Sequence, residues 1–215
     1  MKALKILQAS PVLAYPTLED GDSLARSIIA PHLTDKKHEI TIRIPMTVAR
    51  EPAQKAYDMA AIELAEELKA GRDVAVLCEG DPFFYGSFMY LFGRMALNFP
   101  VEVIPGVSSL TACATALETP LSARNDILTV LPAPLENSIL KARIEAADSV
   151  ALMKLGRHFD RIRGLIIDMG LADQANYIER ASMQNQKITP LREVPADAAP
   201  YFSMILIHKR GQAWK

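Results

Sequence analysis

The stretch Val74-Ala75-Val76-Leu77-Cys78-Glu79-Gly80-Asp81-Pro82-Phe83-Phe84-Tyr85-Gly86 decides the fold of this chain. Its opening apolar run predicts a strand buried on both faces, and the abrupt change to Glu79-Gly80-Asp81-Pro82 predicts a turn at the strand's carboxyl end. In a parallel α/β sheet, ligands bind in the crevice outside the carboxyl ends of the strands. Gly-Asp-Pro is also ordinary turn chemistry, so this run alone leaves a plain β-turn open. A second signal of the same kind follows. Val101-Glu102-Val103-Ile104 reads as a strand, Pro105-Gly106 as a turn, and Ser108-Ser109 as the start of a helix through Leu117. Either serine can cap that helix, whose first-turn amides would face the crevice. Its residues are almost all small, which suits close approach to a ligand and equally suits a tightly packed core.

Working outward, strand and helix signals alternate along the whole chain, the pattern of an α/β protein. Helices are expected over 2–9, 23–30, 87–97, 136–147 and 159–169. The clearest is 52–70, where Ala53, Ala56, Ala60, Leu64 and Leu68 recur at helical steps before Gly71. Strands are expected at 12–15, ending at Pro16, and at 39–44, 127–131, 149–153, 176–179 and 201–208. The last is half-alternating, as in mixed or antiparallel sheets. The pattern changes around Thr119-Pro120, dividing the chain into α/β lobes at 1–120 and 121–215.

Composition narrows the function classes. The 215 residues are half apolar with a net charge of −1, which supplies no basic face for nucleic acid. No apolar run reaches the length of a membrane span. Cys78 and Cys113 sit among apolar neighbours and read as small core residues, not as a disulfide or metal pair, and a reducing cytoplasm suits them. His32, His38, His158 and His208 lack metal-ligand spacing, so no metal site is expected.

These motifs together resemble the tetrapyrrole (corrin/porphyrin) methyltransferase family. The residues carrying the resemblance are Gly80-Asp81-Pro82, Pro105-Gly106-Val107-Ser108 and Met153 within Ala151-Leu152-Met153-Lys154. Longer stretches narrow it to the branch acting on C-20 of precorrin-2 in cobalamin synthesis. They are Cys78 through Leu91, Ala123 to Asp126, Val130 to Pro134, Met153 to Arg157, Tyr177 to Ala181 and Tyr201 to Met204. The resemblance implies a parallel-sheet first lobe, a mixed-sheet second lobe and an S-adenosylmethionine site in the cleft between them. It also implies a homodimer. Family members usually open with a strand and a Gly-Pro-Gly-Asp-Pro-like loop, whereas this sequence opens inside the helix that follows.

By the same resemblance, Glu79, Gly80, Asp81, Phe84, Ser108, Ser109, Met153, Ala181 and Ser203 are the expected cofactor contacts. Methyl transfer from a sulfonium needs orientation and no nucleophilic side chain, so no catalytic residue is expected. The implied substrate is a tetrapyrrole rich in carboxylates, and guanidinium forks suit carboxylates. Candidates are Arg124, Lys154, Arg157 and Arg180, with Tyr15 and Tyr85 as walls for the macrocycle. Tyr85 reads equally well as core, and Arg161 and Arg163 as a solvated helix face. Other readings are a cobalt-bearing substrate, a relative acting on RNA or protein histidine, and a non-catalytic binding partner. The charge balance speaks against RNA.

Overall fold

The structure is a computed structural model describing residues 1–18, 21–45 and 50–211. The chain falls into two compact units, 1–107 and 108–215. The sequence reading divides the lobes near Pro120. The division by contacts comes before the small-residue helix, which packs against a strand of the second unit.

The first unit contains α1 (Lys2–Ala9), β1 (Val12–Leu18), α2 (Leu24–Ile29), β2 (His38–Ile44), α3 (Arg50–Lys69), β3 (Val74–Val76) and α4 (Phe88–Met95). Its sheet is parallel, in the order β2-β1-β3. Val12, Leu13 and Ala14 of β1 are wholly buried, and Ile40, Ile42, Tyr57, Leu64 and Leu91 pack around them. Pro16 does not end β1 as the sequence suggested. It ends only one of its two pairings. The amide of Val12 donates to Asp73 and that of Leu77 to Ala14, so alternate residues of β1 address β3. The next to do so is residue 16, and proline has no N–H to give. The β1–β3 ladder therefore stops at Ala14↔Val76, while β1 and β2 stay paired to Leu18↔Ile44.

Two other expectations change here. The strand expected at 74–78 is paired only over Val74–Val76. The segment 101–104 belongs to neither sheet. Its valines and isoleucine favour extended backbone, but a strand also needs a neighbour to pair with.

The second unit contains α5 (Ser109–Ala116), β4 (Leu128–Pro132), α6 (Asn137–Ala146), β5 (Ser149–Met153), α7 (Phe159–Asp168), β6 (Ala175–Glu179), β7 (Lys187–Pro190) and β8 (Ser203–His208). The sheet order is β4-β5-β8-β6-β7. β4 and β5 are parallel, and β8 runs antiparallel to both β5 and β6. All six residues of β8 are buried, so this central strand is covered on both faces instead of alternating. Leu140, Ile144, Phe159, Ile162, Ile166, Tyr177, Ile205 and Ile207 form one apolar core with the helices. Edge strand β7 carries a single aliphatic residue, the exposed Ile188, too little pattern to read from sequence.

Candidate functional site

In the first unit, the Asp81 side chain joins the turn after β3 to the Pro105-Gly106 turn, and the two backbones pack closely at Gly106. The Gly106 amide donates to Asp81 Oδ2 at 3.0 Å and the Phe83 amide to Asp81 Oδ1 at 2.9 Å. These bonds, that from Gly106 foremost, hold the Asp81 carboxyl below its ordinary range. Gly106 has no room for a side chain. A Cβ there would lie 2.9 Å from the Gly80 carbonyl carbon and nearer still to its oxygen. Gly80 itself takes φ +69°, the left-handed region. What the glycine admits is the other turn. Glu79 and Phe84 are half-buried on the same loop, and Phe84 stands edge-on to Tyr85 with centroids 5.2 Å apart. Tyr85 is 43% exposed at φ +56°, so it is not core.

Tyr15 lies elsewhere in this unit, in β1. Its hydroxyl donates to Glu39 Oε2 at 2.8 Å, and the Arg26 guanidinium forks onto both Glu39 oxygens at 2.8 Å. Tyr15, Thr17, Arg26, Thr41 and Arg43 line a polar hollow of about 320 Å³. Arg26 and Arg43 escaped the sequence reading. The signal present was Glu39, Thr41 and Arg43 at alternate positions, which places them on one face of β2.

In the second unit, Ser108 is the N-cap of α5. Its hydroxyl accepts from the Thr111 amide at 3.4 Å, leaving Ser109 exposed in the first turn. The other candidates gather at one edge of the mixed sheet. β5 and β6 run in the same direction on either side of β8, so their carboxyl ends flank its amino end. Met153 pairs with Met204 and Glu179 with Ser203, which brings Met153, Lys154, Glu179, Arg180, Ala181 and Ser203 onto one rim. The Ser203 hydroxyl donates to the Pro200 carbonyl at 2.6 Å. Glu179, 8% exposed, accepts from the Tyr177 hydroxyl at 3.4 Å and pairs with Arg180 at 3.3 Å. Burial, then the Glu179 charge, pushes the Tyr177 phenol up to about 12. This buried acid beside Arg180 was also missed, although Glu179 stood in a quoted motif.

Lys154 and Arg180 each follow directly on a strand and take φ +58° and +52°; Arg124 takes φ +51°. Arg124 and Arg157 are exposed and have no ion-pair partner among the described residues. Arg161 and Arg163 are structural. Arg161 donates to the Ala133 carbonyl and Asn137, and Arg163 donates to the Val194 carbonyl and Asp160 while covering the Phe159 ring. Among the described residues no group of three His, Cys, Asp or Glu side chains could hold a metal, and no helix is long and apolar enough to cross a membrane.

Comparison with known proteins agrees with this geometry. The family model for Tetrapyrrole (Corrin/Porphyrin) Methylases matches residues 1–195. A precorrin-2 C(20)-methyltransferase of a Sinorhizobium species is 37% identical across 96% of this chain and 88% of its own. A cobalt-precorrin-2 C(20)-methyltransferase of Salmonella typhimurium is 28% identical across 99% of this chain and 91% of its own. The uroporphyrin-III C-methyltransferase of Thermus thermophilus, solved with S-adenosyl homocysteine, superposes with a TM-score of 0.64 at 18% identity, covering 97% of this chain and 90% of that one. Two α/β units, glycine turns joined through the Asp81 carboxylate, the family model over residues 1–195 and identity along nearly the whole length lead to one conclusion: this chain belongs to the tetrapyrrole (corrin/porphyrin) methylase family.

Proposed function

We propose that this chain is an S-adenosylmethionine-dependent C-methyltransferase that places one methyl group on C-20 of precorrin-2, a step of cobalamin biosynthesis. The observation carrying this reading is the 37% identity, across 96% of the chain, with a protein of that activity. The residues present fit the methyl donor. At Gly106 the backbones of two turns meet with no side chain between them, and α5 opens with first-turn amides that have no acceptor within the helix.

S-Adenosylmethionine carries its methyl group on a sulfonium sulfur and so supplies the electrophile when bound. What the protein's own residues do is bind, orient and exclude water. Glu79, Gly80 and Asp81 with Ser108 and Ser109 offer backbone and hydroxyl groups to the amino-acid end of the donor. Phe84, Met153, Ala181 and Ser203 serve its nucleoside end. Arg124, Lys154, Arg157 and Arg180 take the carboxylates of the macrocycle, with Tyr15 and Tyr85 against the ring. Orienting the reacting atoms about 3–3.5 Å apart removes several kcal/mol of barrier, and no side chain has to attack.

The test is transfer from isotope-labelled donor to precorrin-2, read by mass spectrometry and carbon NMR. One labelled methyl at C-20 is expected. Methylation at another ring position, or none with both ligands bound, overturns the reading. The Salmonella relative favours a second reading, in which the ring already carries cobalt. Competition between metal-free and cobalt-loaded rings, compared by kcat/KM, separates the two. The same proposal includes a homodimer, tested by sedimentation, and a cytoplasmic location, which suits two free thiols, Cys78 and Cys113.

A further inference from the structure

Glu179, the last residue of β6, is 8% exposed, and nothing in the reaction as proposed gives its carboxylate a task. Its two oxygens differ. Oε2 accepts from the Tyr177 hydroxyl at 3.4 Å and faces the Arg180 guanidinium at 3.3 Å. Oε1 takes no hydrogen bond among the described residues and remains open to the rim. A carboxylate present to fix a guanidinium can offer it both oxygens, as Glu39 does to Arg26 at 2.8 Å. Glu179 gives Arg180 and Tyr177 the same one. The mount is rigid. Tyr177 is 1% exposed, packs against Phe159 with ring centroids 5.2 Å apart, and keeps its proton because burial pushes the phenol up to about 12. Across the ladder the Ser203 hydroxyl is already committed to the Pro200 carbonyl. Oε1 is therefore the charged acceptor that this rim still offers.

A buried carboxylate is costly unless its oxygens are hydrogen-bonded. The group that completes this one must donate a proton and must not be an anion. The carboxylates of the macrocycle are thereby excluded. S-Adenosylmethionine offers donors at its ammonium, at the adenine amino group and at its ribose hydroxyls. The ammonium belongs to the amino-acid end, which the first unit's turns serve. Met153 and Ala181 border the same rim and give the flat base apolar contact, which leaves the ribose for the acid. Hydroxyl-to-carboxylate bonds are short and roughly twice as strong as neutral ones. An acid at a strand's carboxyl end holding a ribose hydroxyl is also a recurrent solution in α/β nucleotide sites.

We propose that Glu179 holds the ribose of the methyl donor, Oε1 accepting from its hydroxyls while Tyr177 and Arg180 fix the carboxylate through Oε2. This assignment rests on the reading of the rim as the nucleoside end of the donor site.

The test is titration calorimetry with S-adenosylhomocysteine and its 2′,3′-dideoxy analogue on the wild-type chain, Glu179→Gln and Glu179→Ala. The wild type should bind the analogue at least about tenfold more weakly than the parent compound. That gap should shrink at least about threefold in Glu179→Gln, where the bond loses its charge, and vanish in Glu179→Ala. A purely structural Glu179 would lower the affinity for both compounds alike and leave the gap intact. Either variant suffices if the other does not fold. No gap in the wild type, or an equal gap in the wild type and the folded variants, overturns the ribose assignment and leaves the donor reading in place. Absence of S-adenosylhomocysteine binding to the wild type overturns the donor reading itself.

Discussion

Replacing Gly106 by alanine tests whether the two glycine turns act as one unit. The new Cβ would lie 2.9 Å from the Gly80 carbonyl carbon and 3.5 Å from Asp81 Cα. Carbon atoms rest about 3.5–4.0 Å apart, so one turn must retreat by roughly 1 Å. That retreat stretches the 3.0 Å bond from the Gly106 amide to Asp81 Oδ2 out of hydrogen-bonding range. Overpacking of this kind costs about 1–3 kcal/mol. In a chain of 215 residues each kcal/mol moves the melting point by about 2–4 °C, so a fall of roughly 4–8 °C is expected at the middle of that range. Gly71→Ala is the control. Gly71 has φ +76° and nothing within 4 Å of a built Cβ, so alanine there meets only backbone strain of about 1–2 kcal/mol. Scanning calorimetry should show both variants destabilised. Titration with S-adenosylhomocysteine should show affinity lost at least tenfold in Gly106→Ala alone. An unshifted melt for Gly106→Ala would refute the close contact, and normal binding despite a lowered melt would remove these turns from the cofactor site.

Arg124→Ala and Arg157→Ala should each raise the KM for the macrocycle about tenfold or more, since a charge-assisted hydrogen bond is worth roughly 1.5–3 kcal/mol. S-Adenosylhomocysteine affinity should stay unchanged and lysine should rescue only in part; wild-type KM in both alanine variants would show that the carboxylates are held elsewhere. The Arg26 fork, with the Tyr15 hydroxyl, holds the Glu39 carboxyl below its ordinary range. The stability it lends is complete above the ordinary carboxylate pKa of 4.5 and is lost as pH falls through the lowered folded value. Unfolding midpoints measured from about pH 6 down to about pH 3 should therefore fall less steeply in Glu39→Gln, and equal slopes would refute the coupling. Burial pushes the Cys113 thiol up to about 11. At pH 8 only about one molecule in a thousand is thiolate, so iodoacetamide should modify Cys113 on unfolding and not before; rapid native labelling would contradict its burial.

Where backbone preference, apolar pattern and partner all agreed, the elements were legible. α1 and β5 run over the residues their patterns predicted, and Gly71 takes the left-handed conformation that its place after α3 implied. Reading failed where pairing decides. Residues 101–104 have a strand's composition without a partner, and Pro16 interrupts one ladder while the other continues, a distinction invisible without the neighbouring strands. For the site, the motif named Gly106, and only the structure shows that its missing side chain admits the Gly80 backbone. Arg26 and Glu39 were missed because a pair thirteen residues apart leaves no periodic trace.

The least legible feature is the backbone at the candidate side chains. Tyr85, Arg124, Lys154 and Arg180 all have φ between +50° and +60°, where a side chain costs about 1–2 kcal/mol relative to the usual helical region. Four such residues together forgo roughly 4–8 kcal/mol, comparable with the net stability of a domain. Glycine would relieve the strain and would also remove the ring or the charge. Strain alone does not identify a site, because Glu118, Ser182 and Asp197 share the conformation. Position separates some of them. Lys154 and Arg180 follow immediately on the parallel strands β5 and β6, at the rim that also carries Met153 and Ser203, and a left-handed residue there turns the chain sharply as it leaves the sheet. Sequence patterns assign left-handed backbone to glycine and asparagine and pass over lysine and arginine. A strained cation at a strand's carboxyl end is a costly arrangement, and at Arg180 the guanidinium so placed already holds the Glu179 carboxylate at 3.3 Å.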